Sequence, residues 1–91
     1  MVHNLPEIVV YEHVNYSGAE WRINFITSNV GSFWNDKISS IIVISGTWEF
    51  FEHINYGGRV WVLTPGYYIS VSNFGIPHDV ISSFRVRSWS P

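Results

Sequence analysis

The chain has 91 residues, of which 46% are hydrophobic, 18% aromatic and 13% charged. This balance excludes intrinsic disorder, and the length leaves room for one hydrophobic core. A formal net charge of -2 and the absence of cysteine exclude a basic nucleic-acid surface, disulfides and zinc–thiolate sites.

Two phrases recur along the chain. YEHVNYSG begins at residue 11 and FEHINYGG at residue 51, an offset of 40 residues, and Trp21 and Trp61 share that offset. NDKISS begins at residue 35 and HDVISS at residue 78, an offset of 43 residues. We therefore predict a single domain over residues 1–91 with two similar repeats, the first at about 7–46 and the second at about 47–90.

The segments of each repeat read as short strands, and no stretch has a sustained helical period. They are rich in β-branched and aromatic residues and are separated by Gly, Pro, Asn and Ser. Roughly four strands per repeat predict an all-β fold, a β-sandwich of two four-stranded antiparallel sheets built from two Greek-key motifs. In chain order the predicted strands are 8–11, 20–25, 38–44, 48–51, 59–63 and 81–87.

Tight turns are predicted at 16–18 and 56–58, where glycine supplies a backbone conformation that a Cβ would penalise. The third predicted strand is apolar throughout residues 41–44, so either Ile42 and Ile44 or Ile41 and Val43 must face outward. The fifth predicted strand is also apolar on both faces. Either Val60 and Val62 or Trp61 and Leu63 must face outward there. The further apolar residues expected to be exposed are Phe33, Trp34, Tyr67, Phe74 and Trp89.

Two spacings carry a family resemblance. Tyr11-x4-Tyr16-x-Gly18 and Phe51-x4-Tyr56-x-Gly58 resemble the signature of βγ-crystallin Greek-key motifs. NDKISS resembles the calcium-binding consensus of that superfamily: an Asn/Asp pair, any two residues, Ser/Thr and Ser. The phrases NDKISSI, SGTW and INYGGR resemble its microbial single-domain members, including archaeal ones, and the resemblance places Tyr68 at the tyrosine-corner position.

The two NDKISS-like phrases carry side chains suited to calcium. Ca²⁺ takes six to eight oxygen ligands from carboxylates, carbonyls, hydroxyls and water. Asp36 and Asp79 supply carboxylates, and Ser39 and Ser82 supply hydroxyls. With so few carboxylates per ion we expect affinity of roughly micromolar or weaker.

The resemblance implies two Ca²⁺ sites that are shared crosswise between the repeats. The aspartate of each phrase serves one ion while its serine serves the other, and backbone carbonyls near Glu12 and Glu52 complete the shells. Asn35 opens the first phrase as the consensus asks, but His78 opens the second. If that position contributes mainly its carbonyl, both sites survive; if its side chain is needed, one site is weakened.

Other interpretations of these residues stay open. A solvated turn explains a single N-D-x-x-S-S phrase, and a metal-free structural crystallin domain explains the fold without calcium. His13 and His53 are better interpreted as solvated hairpin residues than as a transition-metal pair, and the Asn15 sequon as accidental. The exposed apolar residues suggest an interaction module, either a homodimer or a natural or engineered scaffold for a protein partner.

An enzyme is not expected, because no nucleophile elbow, paired-carboxylate phrase or phosphate loop is present. No apolar run can span a bilayer, and residues 1–6 have no signal-peptide pattern. We therefore expect the chain as given to be soluble, with no nucleic-acid or membrane partner, and its compartment cannot be assigned.

Overall fold

The computed structural model describes residues 5–24, 27–77 and 80–88. Within these ranges, seven strands lie in two antiparallel sheets, together with one α-helical turn, α1, at Gly31–Trp34 and two 3₁₀ turns at Ile54–Tyr56 and Val71–Phe74. Within the described ranges, no helix has the length and apolarity needed to cross a membrane. The strands are β1 Glu7–His13, β2 Ser17–Ile23, β3 Ser40–Ser45, β4 Thr47–His53, β5 Gly57–Leu63, β6 Gly66–Tyr68 and β7 Ser83–Ser88.

Each sheet receives its last segment from the other repeat. The first sheet has the order β2-β1-β3-β6, so β6 of the second repeat pairs with β3 of the first. The second sheet has the order β5-β4-β7, and Thr27 of the first repeat forms an isolated bridge with Phe84 in β7. This reciprocal crossing is the pattern of two Greek keys.

The predicted all-β sandwich is therefore confirmed, but the strand count differs in one sheet. The described residues give four strands and three, with the Thr27 bridge at the position that β6 holds in the first sheet. β6 and α1 were not predicted, because three or four residues are too few to show a period. The predicted second strand ended at Phe25, which lies outside the described residues.

The core fills the space between the sheets. Trp48, Phe50 and Phe84 are fully buried, and the Phe84 ring lies 6.0 Å from Trp48 and 5.8 Å from Phe50. Tyr68 is 9% exposed and donates a hydrogen bond of 2.6 Å from its hydroxyl to the Thr64 carbonyl. That bond joins β6 to the chain four residues upstream, which is the geometry of a tyrosine corner.

Both predicted turns have the left-handed backbone that glycine favours. Gly18 and Gly58 have φ of 80° and 74°. A Cβ on Gly58 would lie 2.6 Å from Cδ2 of His53, and one on Gly18 would lie 2.6 Å from Cδ2 of His13. Glycine is required at these positions for close approach of the imidazole as well as for φ.

The structure decides which apolar residues face outward. Ile41 and Val43 are buried, whereas Ile44 is 44% exposed and lies on the same face of β3 as Ile42. On β5, Val60 and Val62 are exposed and Leu63 is buried. Phe33, Tyr67 and Phe74 are exposed and Trp34 is half-buried, while Trp89 lies outside the described residues.

Candidate metal site

A cleft of about 380 Å³ lies where the first NDKISS-like phrase meets the second repeat. It brings together four of the eight predicted ligand residues, two from each repeat. The lining residues are Asn35, Asp36, Glu52, His53, Ile54, Val80 and Ser82.

The end of α1 shapes one wall of the cleft. Asn35 N–H donates to the Gly31 carbonyl at 2.9 Å, and Lys37 N–H donates to the Trp34 carbonyl at 3.0 Å. Between them Asp36 takes a left-handed backbone with φ of 60°. This tight turn presents the exposed Asp36 carboxylate and the Asn35 amide at the cleft.

Ser82 forms the opposite wall of the cleft and makes hydrogen bonds to residues of the first repeat. Its N–H donates to the Phe51 carbonyl at 3.0 Å, beside Glu52, and its carbonyl accepts from Val30 N–H at 3.0 Å. Its hydroxyl donates to Oδ1 of Asn35 at 2.7 Å. Ser82 of the second repeat and Asn35 of the first are thus joined directly across the cleft.

Ser39 has the equivalent backbone position in the first repeat. Its N–H donates to the Tyr11 carbonyl at 3.0 Å, beside Glu12, and its carbonyl accepts from Val71 N–H at 2.9 Å. Its hydroxyl donates to the Lys37 carbonyl at 3.3 Å. The residues predicted to meet Ser39 from the other repeat, His78 and Asp79, lie outside the described residues.

The carboxylates of Glu12 and Glu52 are engaged within their own hairpins. Oε1 of Glu12 accepts from Ala19 N–H at 3.2 Å, and Oε1 of Glu52 accepts from Arg59 N–H at 3.2 Å. Oε2 of Glu52 also pairs with the Arg59 guanidinium at 2.9 Å. Hydrogen bonds from the Arg59 side chain and backbone lower the pKa of the Glu52 carboxyl. The two carboxylates are thus occupied, and a contribution of backbone carbonyls near these residues to a metal site stays a prediction.

His13 and His53 are exposed beside these glutamates. Their side chains are 63% and 68% exposed, and Nε2 lies 3.7 Å and 3.8 Å from Oε1 of Glu12 and Glu52. Only His53 of the two lines the cleft.

Two serines that sequence reasoning did not single out anchor the hairpins. Ser40 Oγ donates to the His13 carbonyl at 2.6 Å and accepts from Tyr16 N–H at 3.1 Å. Ser83 Oγ makes the same pair of bonds to His53 and Tyr56, at 2.6 Å and 3.1 Å. Both side chains are fully buried. The signal was available, because the last serine of each phrase is repeated as faithfully as the one before it.

The donor set of the cleft suits a hard cation. Across the ranges 5–24, 27–77 and 80–88, no three His, Cys, Asp or Glu side chains form a ready metal cluster. The cleft instead offers a carboxylate with no ion-pair partner among the described residues, an amide oxygen and a hydroxyl, which are ligand types that Ca²⁺ takes.

Comparison with known proteins gives a consistent result. The chain matches the family model described as Beta/Gamma crystallin over residues 7–86. It is 36% identical over 83 residues to human Beta-crystallin B2, covering 87% of this chain and 40% of that protein. It is 37% identical over 83 residues to Beta/gamma-crystallin of Ciona intestinalis, covering 89% of this chain and 98% of that protein. The chain thus spans less than half the length of the vertebrate relatives it matches.

Two solved structures show the same fold. A betagamma-crystallin from an archaeon has 54% identity and a TM-score of 0.88, covering 91% of this chain and 99% of that one. A transition-metal-ion-binding betagamma-crystallin from Methanosaeta thermophila has 26% identity and a TM-score of 0.76, covering 88% of this chain and 99% of that one.

Proposed function

The chain belongs to the beta/gamma-crystallin family, and from that premise we propose that it is a non-enzymatic calcium-binding domain whose ions stabilise the fold. Two ions bind at two sites, each shared between the repeats. Asn35, Asp36, Ser82 and the Glu52 carbonyl hold the first ion. His78, Asp79, Ser39 and the Glu12 carbonyl hold the second.

The observation that carries this proposal is the hydrogen bond of 2.7 Å between Ser82 Oγ and Asn35 Oδ1. It joins the serine of one phrase to the opening residue of the other, inside the cleft that Asp36 also lines. A crosswise site requires residues of both phrases to meet at one cleft, and a pair of unrelated solvated turns does not.

Binding at this cleft links the two repeats. Ser82 is anchored through its N–H to Phe51 and through its carbonyl to Val30, while Asp36 is held in the turn that follows α1. A cation held by both walls adds a bridge that the unfolded chain lacks. Ligand binding to the folded state alone stabilises it by mass action. A metal-ion-binding family member among the structural neighbours also supports a metal-linked role.

Replacing Asp36 by Asn tests the first site. The change removes the one cleft carboxylate that has no ion-pair partner among the described residues. Even the loss of a partner outside the ligand shell lowers metal affinity by about 10- to 100-fold, so we expect at least a tenfold loss for Ca²⁺ at one site by calorimetry.

The matched control is Glu20→Gln, which changes net charge equally on the exposed surface of β2 away from the cleft. It should bind Ca²⁺ as the parent chain does. Equal calcium titrations for the parent and Asp36→Asn would contradict the assignment of this site.

A second candidate function is self-association through the outer face of the first sheet. Ile42 pairs with Tyr67 across β3 and β6, and paired residues point to the same side. Ile44 lies on that side of β3, and Tyr67 is 74% exposed. We call Ile42, Ile44 and Tyr67 the outer patch; such an exposed apolar surface suits a second copy of the chain.

Sedimentation velocity over a concentration series tests self-association. We expect the mass to rise from 10.5 kDa toward that of a dimer, and Ile44→Lys to remain monomeric because it places a charge in the outer patch. Val62→Lys, on the other sheet, is the control and should still associate. A parent chain that stays monomeric at every concentration would remove this candidate.

A further inference from the structure

The hairpins of the two repeats differ at one position beside the cleft. In the first repeat the Ala19 N–H donates to Oε1 of Glu12 at 3.2 Å. In the second repeat the Arg59 N–H donates to Oε1 of Glu52 at the same distance, 3.2 Å, and the Arg59 guanidinium adds an ion pair of 2.9 Å with Oε2. The first hairpin forms without such an ion pair, so the hairpin itself does not require the guanidinium.

The Arg59 guanidinium changes the charge at the cleft. Asp36 and Glu52 are the two carboxylates among the described residues that line it. Asp36 has no ion-pair partner among the described residues, whereas Arg59 offsets the charge of Glu52. With His53 neutral, the cleft therefore presents to a cation one net negative charge instead of two.

A second contact holds the guanidinium in this place. Its central carbon lies 5.2 Å from the centroid of the Trp61 ring, within the range of a cation–π contact. Trp61 is half-buried and packs against the core, so it is a fixed support. Arg59 thus keeps the Glu52 carboxylate engaged inside its own hairpin and leaves less of it free to meet a cation.

We propose that Arg59 determines the affinity of the first calcium site, which it lowers by occupying the Glu52 carboxylate and placing a positive charge beside the cleft. This inference rests on the proposed function for the ion and its location. Calcium affinity in proteins depends on the number of charged ligands and on the rigidity of the site. Charges less than about 10 Å apart are only partly screened at 0.1 M salt, and Glu52 links Arg59 directly to the cleft.

Calcium calorimetry of Arg59→Gln at low salt tests the proposal. The substitution removes the charge and keeps the backbone N–H that bonds Glu52. We expect the first site to bind Ca²⁺ about two- to tenfold more tightly, because a unit charge near a divalent ion is screened only in part. Arg59→Lys keeps the positive charge, so its calcium affinity should stay close to that of the parent chain.

Arg22→Gln is the matched control. Arg22 pairs with Glu7 at 2.8 Å and its side chain is 61% exposed, against 59% for Arg59, but it does not line the cleft or pair with a residue that does. Its loss should leave calcium affinity unchanged. Urea denaturation in EDTA should give similar midpoints for both glutamine variants and the parent, because exposed ion pairs add little to folding.

Two further measurements separate a charge effect at the first site from a structural effect. Raising the ionic strength should bring the calcium affinities of Arg59→Gln and the parent together, since salt screens charge and does not restore a lost contact. In the Asp36→Asn background, where the first site is weakened, Arg59→Gln should leave the affinity of the remaining site unchanged.

Calcium binding by Arg59→Gln that equals or falls below that of the parent would overturn this inference and leave the calcium function standing. A gain as large in Arg22→Gln or in Arg59→Lys would also overturn it, because the effect would then not belong to the charge of Arg59. Absence of calcium binding in the parent chain would overturn the proposed function and this inference with it.

Discussion

Calcium in place of EDTA is expected to raise the melting temperature of this chain by roughly 10–20 °C. A ligand that binds only the native state at 100 times its Kd adds about 2.7 kcal/mol. For a domain of this size, 1 kcal/mol shifts the melting temperature by about 4–8 °C. We attribute that linkage to the proposed site around Asp36 and Ser82, because the cleft joins both repeats in the folded chain.

Circular dichroism melts in EDTA, in millimolar Ca²⁺ and in millimolar Mg²⁺ measure this effect. Mg²⁺ should give a smaller shift, because it demands near-ideal octahedral geometry and dehydrates reluctantly. Asp36→Asn should lose part of the calcium shift while melting in EDTA as the parent does. Identical melts in calcium and in EDTA would rule out metal-linked stability.

Much of the fold could be predicted from the sequence because both repeats contain the same kinds of local strand and turn patterns. The strands with alternating or fully apolar patterns, such as β4 and β7, were found to within a few residues. β6 was missed because its three residues pair only with β3 of the other repeat, 23 residues or more away in the chain. Such a strand is specified by its tertiary partner rather than by local propensity.

The candidate site likewise contains residues that could be predicted from the sequence and residues that could not. Residue type and repetition indicated Asp36 and Ser82, the resemblance to the family consensus added Asn35, and the structure brings these three to one cleft. The anchoring role of Ser40 and Ser83 was not predicted, because the partners of each hydroxyl lie 24 to 30 residues away in the chain. Arg59 illustrates the same limit: the equivalent position in the first repeat is Ala19, so repetition gave no hint of the ion pair with Glu52.

Substitutions of the two adjacent serines in the second phrase should distinguish an effect on folding from an effect on metal binding. Ser83→Ala removes a fully buried hydroxyl that bonds the His53 carbonyl and the Tyr56 N–H. Each backbone group left without a partner costs about 1–3 kcal/mol. For the two groups we therefore expect Ser83→Ala to lower the free energy of unfolding in EDTA by roughly 2–6 kcal/mol, measured by urea denaturation.

Ser82→Ala is the matched control, because it removes the same atom one residue earlier. Its hydroxyl donates to Oδ1 of Asn35, whose side chain is exposed and can bond to water instead, so in EDTA the loss should be about 1 kcal/mol or less. In calcium the order of effects changes, since Ser82→Ala loses a proposed ligand and with it much of the calcium-dependent gain. If Ser82→Ala were as destabilising as Ser83→Ala in EDTA and kept the full calcium gain, the division of labour between these two serines would be wrong. The two results together would assign different tasks to the last two serines of the second phrase: Ser83 fixes the hairpin through His53 and Tyr56, and Ser82 binds the proposed ion.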